Sequence, residues 1–193
     1  MSDAQSPVKR SYLAEAQSII SISYLIAIGI GMLFRYKRFA EFEINIFDYA
    51  DVFDFIIAPF SDTRIFYFSL LSGLLSVGII RLDAAWQARY PKSYSKMVFG
   101  WDKKPWYSVV RYVSFVSVFI AYLNLSADIY GKLSKEDVMK QAPVTVRFVD
   151  NELKQGKVIG KTQDMLFMIN GEKIEVVPLT SLVKEVIVGK KKK

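Results

Sequence analysis

Three long stretches almost free of charged residues constrain this sequence more than any other feature. The first, residues 16–34, contains 19 residues without a charge. A helix of that length, rising about 1.5 Å per residue, crosses roughly 30 Å of hydrocarbon. The second, residues 65–80, contains 16 uncharged residues, and the third covers about residues 108–127. The pattern therefore predicts three transmembrane helices.

Basic residues at the ends of these stretches fit the same interpretation. Arg64 and Arg81 bracket the second stretch, and Arg111 lies one turn inside the third, where we expect their side chains to snorkel toward headgroups. A cleavable signal peptide is the alternative for the first stretch. Its apolar part is too long, no small-residue cleavage site follows it, and Arg35 comes next, so a retained helix is favoured.

A different kind of segment, residues 44–60, separates the first two stretches. At 100° per residue, Asp48, Asp51 and Asp54 fall on one arc of a helix, opposite an apolar arc. This pattern predicts an amphipathic helix lying in the membrane interface and ending near Pro59. The acidic face is a wet surface, a site for a hard cation or a surface that repels anions at a pore mouth. The apolar arc contains Tyr49, Ala50, Val52, Phe53, Ile56, Ile57 and Phe60.

Composition excludes many enzyme mechanisms. The chain has no cysteine and no histidine, which removes disulfides, thiolate nucleophiles and imidazole chemistry. It is 52% hydrophobic, outside the usual range of soluble proteins. No phosphate-binding loop, Ser-Lys pair or paired carboxylate occurs at a catalytic spacing. We therefore expect no enzyme activity, no cofactor and no metal site.

A basic, aromatic segment at residues 81–111 contains seven of the chain's basic residues and all three tryptophans. Aromatic rings at headgroup depth beside basic side chains are typical of a cytoplasmic juxtamembrane loop facing anionic lipid. A nucleic-acid partner would need these residues on a folded platform, which nothing in the sequence predicts. The candidate headgroup-binding residues are Arg81, Trp86, Arg89, Trp101, Lys103, Lys104 and Trp106.

Small residues recur four positions apart in the first two stretches. Such ridges let helix backbones approach closely, within one subunit or between subunits of a homo-oligomer. Serines lining a pore are a further alternative. The one amide within a stretch, Asn124, is expected to hydrogen-bond between helices. The candidate packing residues are Ser23, Ala27 and Gly31, Ser69 with Gly73, and Ser72 with Ser76.

Beyond residue 127 the pattern changes to short strands. A polar helical connector precedes Pro143, after which the pattern predicts five strands, with a hairpin turn at Asn170-Gly171. Residues 144–149 alternate, the second strand follows Gln155-Gly156 at 157–160, and the others cover 165–169, 174–177 and 182–188. Five short strands predict a small SH3-like or Sm-like barrel, since closure removes exposed edges. The predicted divisions are a tail at 1–15, a transmembrane domain at 16–127, a connector at 128–142, the barrel at 143–189 and a basic tail at 190–193.

About 35 residues of this C-terminal region resemble the β domain that follows the pore helix in small-conductance mechanosensitive channels. The Gly/Ala-rich pore helix of that family is missing here, because residues 108–127 are aromatic and β-branched. The resemblance implies an SH3-like or Sm-like domain. It is carried by Gly156-Lys157-Val158, Thr162, Phe167, Gly171, Val177-Pro178 and Leu182.

These features together predict a non-enzymatic protein of the bacterial inner membrane that self-associates. Its β domain would mediate assembly, bind a protein partner or sense a signal. The alternative is a channel-like effector gated by that domain. Nine basic residues near the span ends lie on the side of the N-terminus, against seven on the other side. The excess places the N-terminus in the cytoplasm and the β domain outside.

Overall fold

A computed structural model describes residues 7–179 and 183–187, with side chains from residue 15 onward. Residues 1–6, Leu182 and the predicted basic tail lie outside these ranges. Two short 3-10 helices, at Ile46–Asp48 and Trp101–Lys103, interrupt the loops. The helices are α1 (Pro7–Ala40), α2 (Val52–Ser61), α3 (Thr63–Arg89), α4 (Pro91–Met97) and α5 (Tyr107–Lys140); the strands are β1 (Val144–Phe148), β2 (Leu153–Lys161), β3 (Met165–Asn170), β4 (Lys173–Pro178) and β5 (Val183–Ile187).

Three of the helices are long and apolar enough to cross a membrane, as the sequence predicts. They are Glu15–Ala40 within α1, Thr63–Arg89 and Tyr107–Lys140. Most of their apolar surface is exposed in the single chain, as expected for helices that face lipid. The third helix continues without a break through the predicted connector, so span and connector form one element of 34 residues.

The three long helices pack together mainly at one end. Phe34 of α1 contacts Tyr130 of α5 edge-on, with ring centroids 5.5 Å apart, and Lys37 pairs with Asp128 at 2.7 Å. Farther along, the Lys135 ammonium of α5 donates to the carbonyl oxygen of Glu41, just after α1, at 2.6 Å. From Phe34–Tyr130 to Glu41–Lys135 the residue numbers increase on both sides, so α1 and α5 run parallel. Helix α3 runs antiparallel to α5. The buried core of this bundle contains Phe34, Ala58, Ile65, Leu123, Ala127 and Tyr130.

The segment between α1 and α3 differs from the single amphipathic helix predicted over residues 44–60. Asp48 ends a separate 3-10 turn, and α2 begins only at Val52, because the Asp51 side chain caps the helix with Asp54 as its capping-box partner. Pro59 does not end the helix, which continues to Ser61. The predicted apolar arc of α2 is largely exposed, whereas Phe55, outside that arc, is buried against the protein.

The C-terminal strands form an open antiparallel sheet in the order β4-β3-β2-β1-β5, so the predicted closed barrel is wrong. Strands β4 and β5 are the two edges and do not pair with each other. The charged residues Lys173, Glu175, Lys184 and Glu185 lie on these short edge strands, a feature that protects an open sheet from edge-to-edge association. Closure is therefore not needed to protect the edges.

The start of the second strand and the hairpin turn lie close to, but not at, their predicted positions. Gln155-Gly156 lies inside β2, and the chain turns before that strand, where Asn151 has a φ of 65°. Asn170 still pairs with Lys173, so the hairpin turn is formed by Gly171 and Glu172, with Gly171 at φ 62°. The positive φ explains why glycine occupies that position.

Both faces of β3 are buried. On one face, Leu166 and Met168 join Val144, Val146 and Val177 in a core internal to the sheet. On the other face, Phe167 and Ile169 pack against residues of the helical region. The sheet is thus one layer of a larger fold.

Candidate functional site: the junction of the sheet and the helix ends

A second apolar core joins the sheet to the helices, and we call this region the junction. Phe39 of α1 packs edge-on against Phe167 of β3, with ring centroids 5.0 Å apart. Ile159 of β2 and Val138 of α5 are fully buried beside them. The close approach needs Gly160, because a Cβ there would lie 2.8 Å from the Phe39 ring. The junction therefore fixes the sheet on the ends of α1 and α5.

Two arginines at the end of α1 reinforce this contact with hydrogen bonds to the β2 backbone. Arg35 donates from Nη1 to the carbonyl oxygen of Lys161 at 3.0 Å. Arg38 donates from Nη2 to the carbonyl oxygen of Ile159 at 2.5 Å. A spacing of three residues places both side chains on the same face of the helix.

Arg38 also begins a chain of polar contacts that reaches α3. Its Nη1 lies 3.5 Å from the hydroxyl of Tyr130, which donates to Oδ2 of Asp62 at 2.7 Å. The other oxygen of Asp62 accepts the backbone N–H of Arg64 at the start of α3. A displacement of β2 would thus disturb these hydrogen bonds, which involve α1, α5 and α3.

Helix α2 contacts the sheet through one of the predicted acidic residues. Oδ1 of Asp54 accepts the backbone N–H of Gln163 at 3.1 Å, and Oδ2 accepts the N–H of Asp51. The Lys157 ammonium of β2 donates to the carbonyl oxygen of Met139 in α5. The sheet is consequently bonded to the helical region from three sides.

The acidic residues do not converge on a cation site. Asp51 and Asp54 cap α2 and accept backbone N–H groups, while Asp48 accepts from the Asn45 amide at 3.0 Å. Within residues 15–179 and 183–187, no group of three acidic side chains is placed to hold a metal ion. Of these three residues, the structure brings only Asp54 to the junction.

The predicted packing residues separate into three sets. A Cβ at Gly31 would overlap the Phe55 carbonyl, so this residue packs tightly against α2. Ser72 and Ser76 are buried between α3 and α5, where the Ser72 hydroxyl lies 3.1 Å from that of Ser126. Ser23 is exposed, whereas Ala27, Ser69 and Gly73 are partly buried. A Cβ at Gly73 would meet nothing within 4 Å, and Ser69 donates to the Ile65 carbonyl of its own helix.

The opposite end of the bundle contains the basic, aromatic segment. All seven predicted headgroup-binding residues are exposed there. The Arg111 guanidinium pairs with Asp83 at 2.5 Å and donates to Gln87 at 2.7 Å. Tyr94 donates to Asp83 at 3.1 Å and lies 2.7 Å from the Tyr107 hydroxyl. Burial, the bond to Tyr107 and the charge of Asp83 raise the pKa of Tyr94 far above its ordinary value.

Two open cavities adjoin the junction and share Arg35, Ser61 and Lys161 in their lining. The larger, of about 530 Å³, is also lined by apolar residues of α2, including Phe53 and Ile57. The smaller, of about 240 Å³, extends toward Arg38 and Tyr130. Sequence reasoning did not identify these residues as a site, although the Arg35/Arg38 spacing at the end of an uncharged stretch was a visible signal.

Comparison with known proteins adds no assignment. No protein-family model matches the sequence, and no curated protein matches it significantly. The junction must therefore be interpreted from its own chemistry, which consists of hydrogen bonds and apolar packing between a sheet and the helical region.

Proposed function

We propose that this chain is a non-enzymatic protein of the bacterial inner membrane, a self-associating subunit whose C-terminal β sheet mediates assembly, partner binding or sensing. The contacts at the junction are the main support for this proposal. Arg35 and Arg38 bond to the backbone of β2, and Phe39 packs against Phe167. A force or a partner acting on the sheet would therefore act on the membrane helices as well.

The first half of α1 supports self-association. Residues 15–26 are all exposed, including Ile20 at 68% and Leu25 at 66%. Ser23 and Ala27 lie on the helix face that Gly31, one turn later, uses for close packing against α2. On this ridge Ser23 is exposed and Ala27 is partly exposed, and small residues are the usual contact between membrane helices.

The mass of the detergent-extracted protein tests self-association. Ala27→Leu adds bulk to the ridge and should lower the oligomeric fraction. Gly29→Leu is the matched control, since it adds similar bulk on the opposite face of α1, where a Cβ meets nothing within 4 Å. A monomeric wild-type protein, or an equal effect of both variants, would contradict the proposal.

The alternative is a channel-like effector, which the resemblance of the C-terminal segment to mechanosensitive-channel β domains favours. Ion flux through liposomes containing the purified protein separates the two functions. Flux that is lost on changing span residues would favour the channel. Tight liposomes containing an oligomeric protein would favour the non-conducting subunit.

We also propose a sidedness for the protein. The junction, α2 and the sheet lie at one end of the bundle, and the basic, aromatic segment lies at the other, next to the Asp83–Arg111 pair. The larger number of basic residues beside the N-terminus and this segment supports placing that end in the cytoplasm.

A further inference from the structure

Arg35 and Arg38, the two arginines of the junction, differ from the cations of the helical region that form ion pairs. Lys37, Arg64 and Arg111 each form an ion pair with an aspartate. Among the described residues, neither Arg35 nor Arg38 has a carboxylate within ion-pair distance. The buried Nε of Arg38, like that of Arg111, has no acceptor. A partly buried guanidinium bound only to neutral oxygens leaves its charge uncompensated, which is costly.

The nearby carboxylates are already engaged elsewhere. Asp54 lines the larger cavity, but its two oxygens accept backbone N–H groups of Gln163 and Asp51. Asp62 lines the smaller cavity, and its oxygens accept from Tyr130 and from the backbone of Arg64. These carboxylates reduce the positive field without pairing with either arginine.

The lining of the larger cavity is amphipathic. Arg35, the exposed Lys161 and the hydroxyl-bearing Ser61 contribute polar groups to it, and Phe53 and Ile57 contribute apolar side chains. The two apolar side chains are 62% and 54% exposed. Such a surface offers cationic donors to a phosphate and an apolar wall to hydrocarbon.

The position of the cavity favours an anion that belongs to a lipid over a free anion. Arg35 directly follows the uncharged residues 16–34, so it marks the depth at which hydrocarbon gives way to headgroups. The exposed apolar side of α2 lies beside it. An anion arriving with its own acyl chains satisfies both surfaces, whereas a free anion satisfies only the polar one.

We propose that this groove binds one anionic phospholipid, its phosphate held by Arg35 and Lys161 beside Arg38, and its acyl chains packed along Phe53 and Ile57. The site lies at the end of the bundle opposite the basic, aromatic segment. It binds a single lipid in a defined place and does not depend on self-association.

Thermal unfolding of the full-length protein in non-ionic detergent, titrated with phosphatidylglycerol, tests the site. The unfolding temperature should rise and saturate. Arg35→Gln with Lys161→Gln should raise the half-maximal lipid concentration by about tenfold or more, since two charge-assisted contacts to the phosphate are lost. Lys132→Gln with Lys140→Gln removes the same charge from α5 outside the groove and should leave that concentration unchanged.

Other ligands distinguish the source of the phosphate. Phosphatidylcholine, which adds a positive group, should stabilise the protein less, and inorganic phosphate should not stabilise it. Equal stabilisation by inorganic phosphate would overturn the lipid assignment, and equal stabilisation by phosphatidylcholine would overturn the need for net negative charge. An unchanged titration of the Arg35/Lys161 variant, or an equal loss in the control, would overturn the location.

Two single variants keep the test valid if the double variant fails to fold. The Lys161 side chain is exposed, so Lys161→Gln should weaken phosphatidylglycerol binding without disturbing the junction. Phe53→Ser removes part of the apolar wall while leaving every charge in place, and it should also weaken binding. Unchanged binding in both variants would contradict the proposal.

Discussion

The carbonyl oxygen of Phe55 in α2 faces the α-carbon of Gly31 in α1, so closely that a Cβ at residue 31 would overlap it. The carbonyl is available because Pro59, four residues later, has no N–H to donate to it. A Cα–H group that approaches a free carbonyl in this way forms a weak hydrogen bond. This contact explains why a proline inside α2 is compatible with tight packing.

Replacing Gly31 with alanine should destabilise the fold by about 1–3 kcal/mol, because the backbone of α2 must shift to admit the methyl group. Gly73→Ala is the matched control: its Cβ meets open space, and the helix propensity of alanine makes it neutral or slightly stabilising. Thermal unfolding in detergent measures both. Equal stability of the two variants would contradict the packing of α1 on α2.

Tyr94 should make the stability of the protein fall at high pH. Its folded-state pKa is raised above the ordinary value of 10.0, chiefly by burial, so its stabilising effect is complete below pH 10. As the pH rises above 10, the unfolded state loses the tyrosine proton first and is favoured. Tyr94→Phe should flatten this loss. Unfolding at several pH values between 9 and 11 provides the comparison.

The isolated segment 143–189 should not fold cooperatively. Its sequence pattern suggests an independent domain, but the sheet has an apolar face that only the helices cover. In the fragment, Ile159 and Phe167 would lose their contacts with Phe39 and Val138. We expect aggregation or poor dispersion in an amide NMR spectrum. A soluble fragment with a sharp unfolding transition would show that the junction is not required by the sheet.

Sidedness can be measured with single cysteines, since the chain has none of its own. Lys103 and Gln155 are both exposed and lie at opposite ends of the bundle. A membrane-impermeant thiol reagent on intact cells should label Gln155→Cys and spare Lys103→Cys. The reverse pattern would invert the proposed orientation, and labelling of both positions would mean that the number of spans is not three.

Much of the fold could be predicted because its signals are local. The uncharged run 16–34 and the apolar run 165–169 depend only on neighbouring residues, and both gave the correct element. The start of α2 was predicted wrongly because the apolar pattern extends back to residue 44, whereas the Asp51 cap begins the helix at Val52. Asp54 was placed on a wet face although it bonds to Gln163, 109 residues later.

The junction could not be predicted because its contacts are distant in sequence. Gly160 gives no local sign that the ring of Phe39 lies against it. Arg38 at the end of a span is equally compatible with snorkelling into headgroups, and only the packing of β2 beside it provides the Ile159 carbonyl. The predicted barrel failed for the same reason, since helices cover the face that closure would have protected.

The most direct test of the account is the distance between the sheet and the helical region in lipid. Spin labels at Lys132→Cys in α5 and Lys173→Cys in β4, both exposed, report it by pulsed electron paramagnetic resonance. We predict one narrow distance distribution for the wild-type background and a broad one when Arg38→Gln removes the bond to Ile159. A broad or multiple distribution in the wild-type background would contradict the claim that the sheet is fixed on the helix ends.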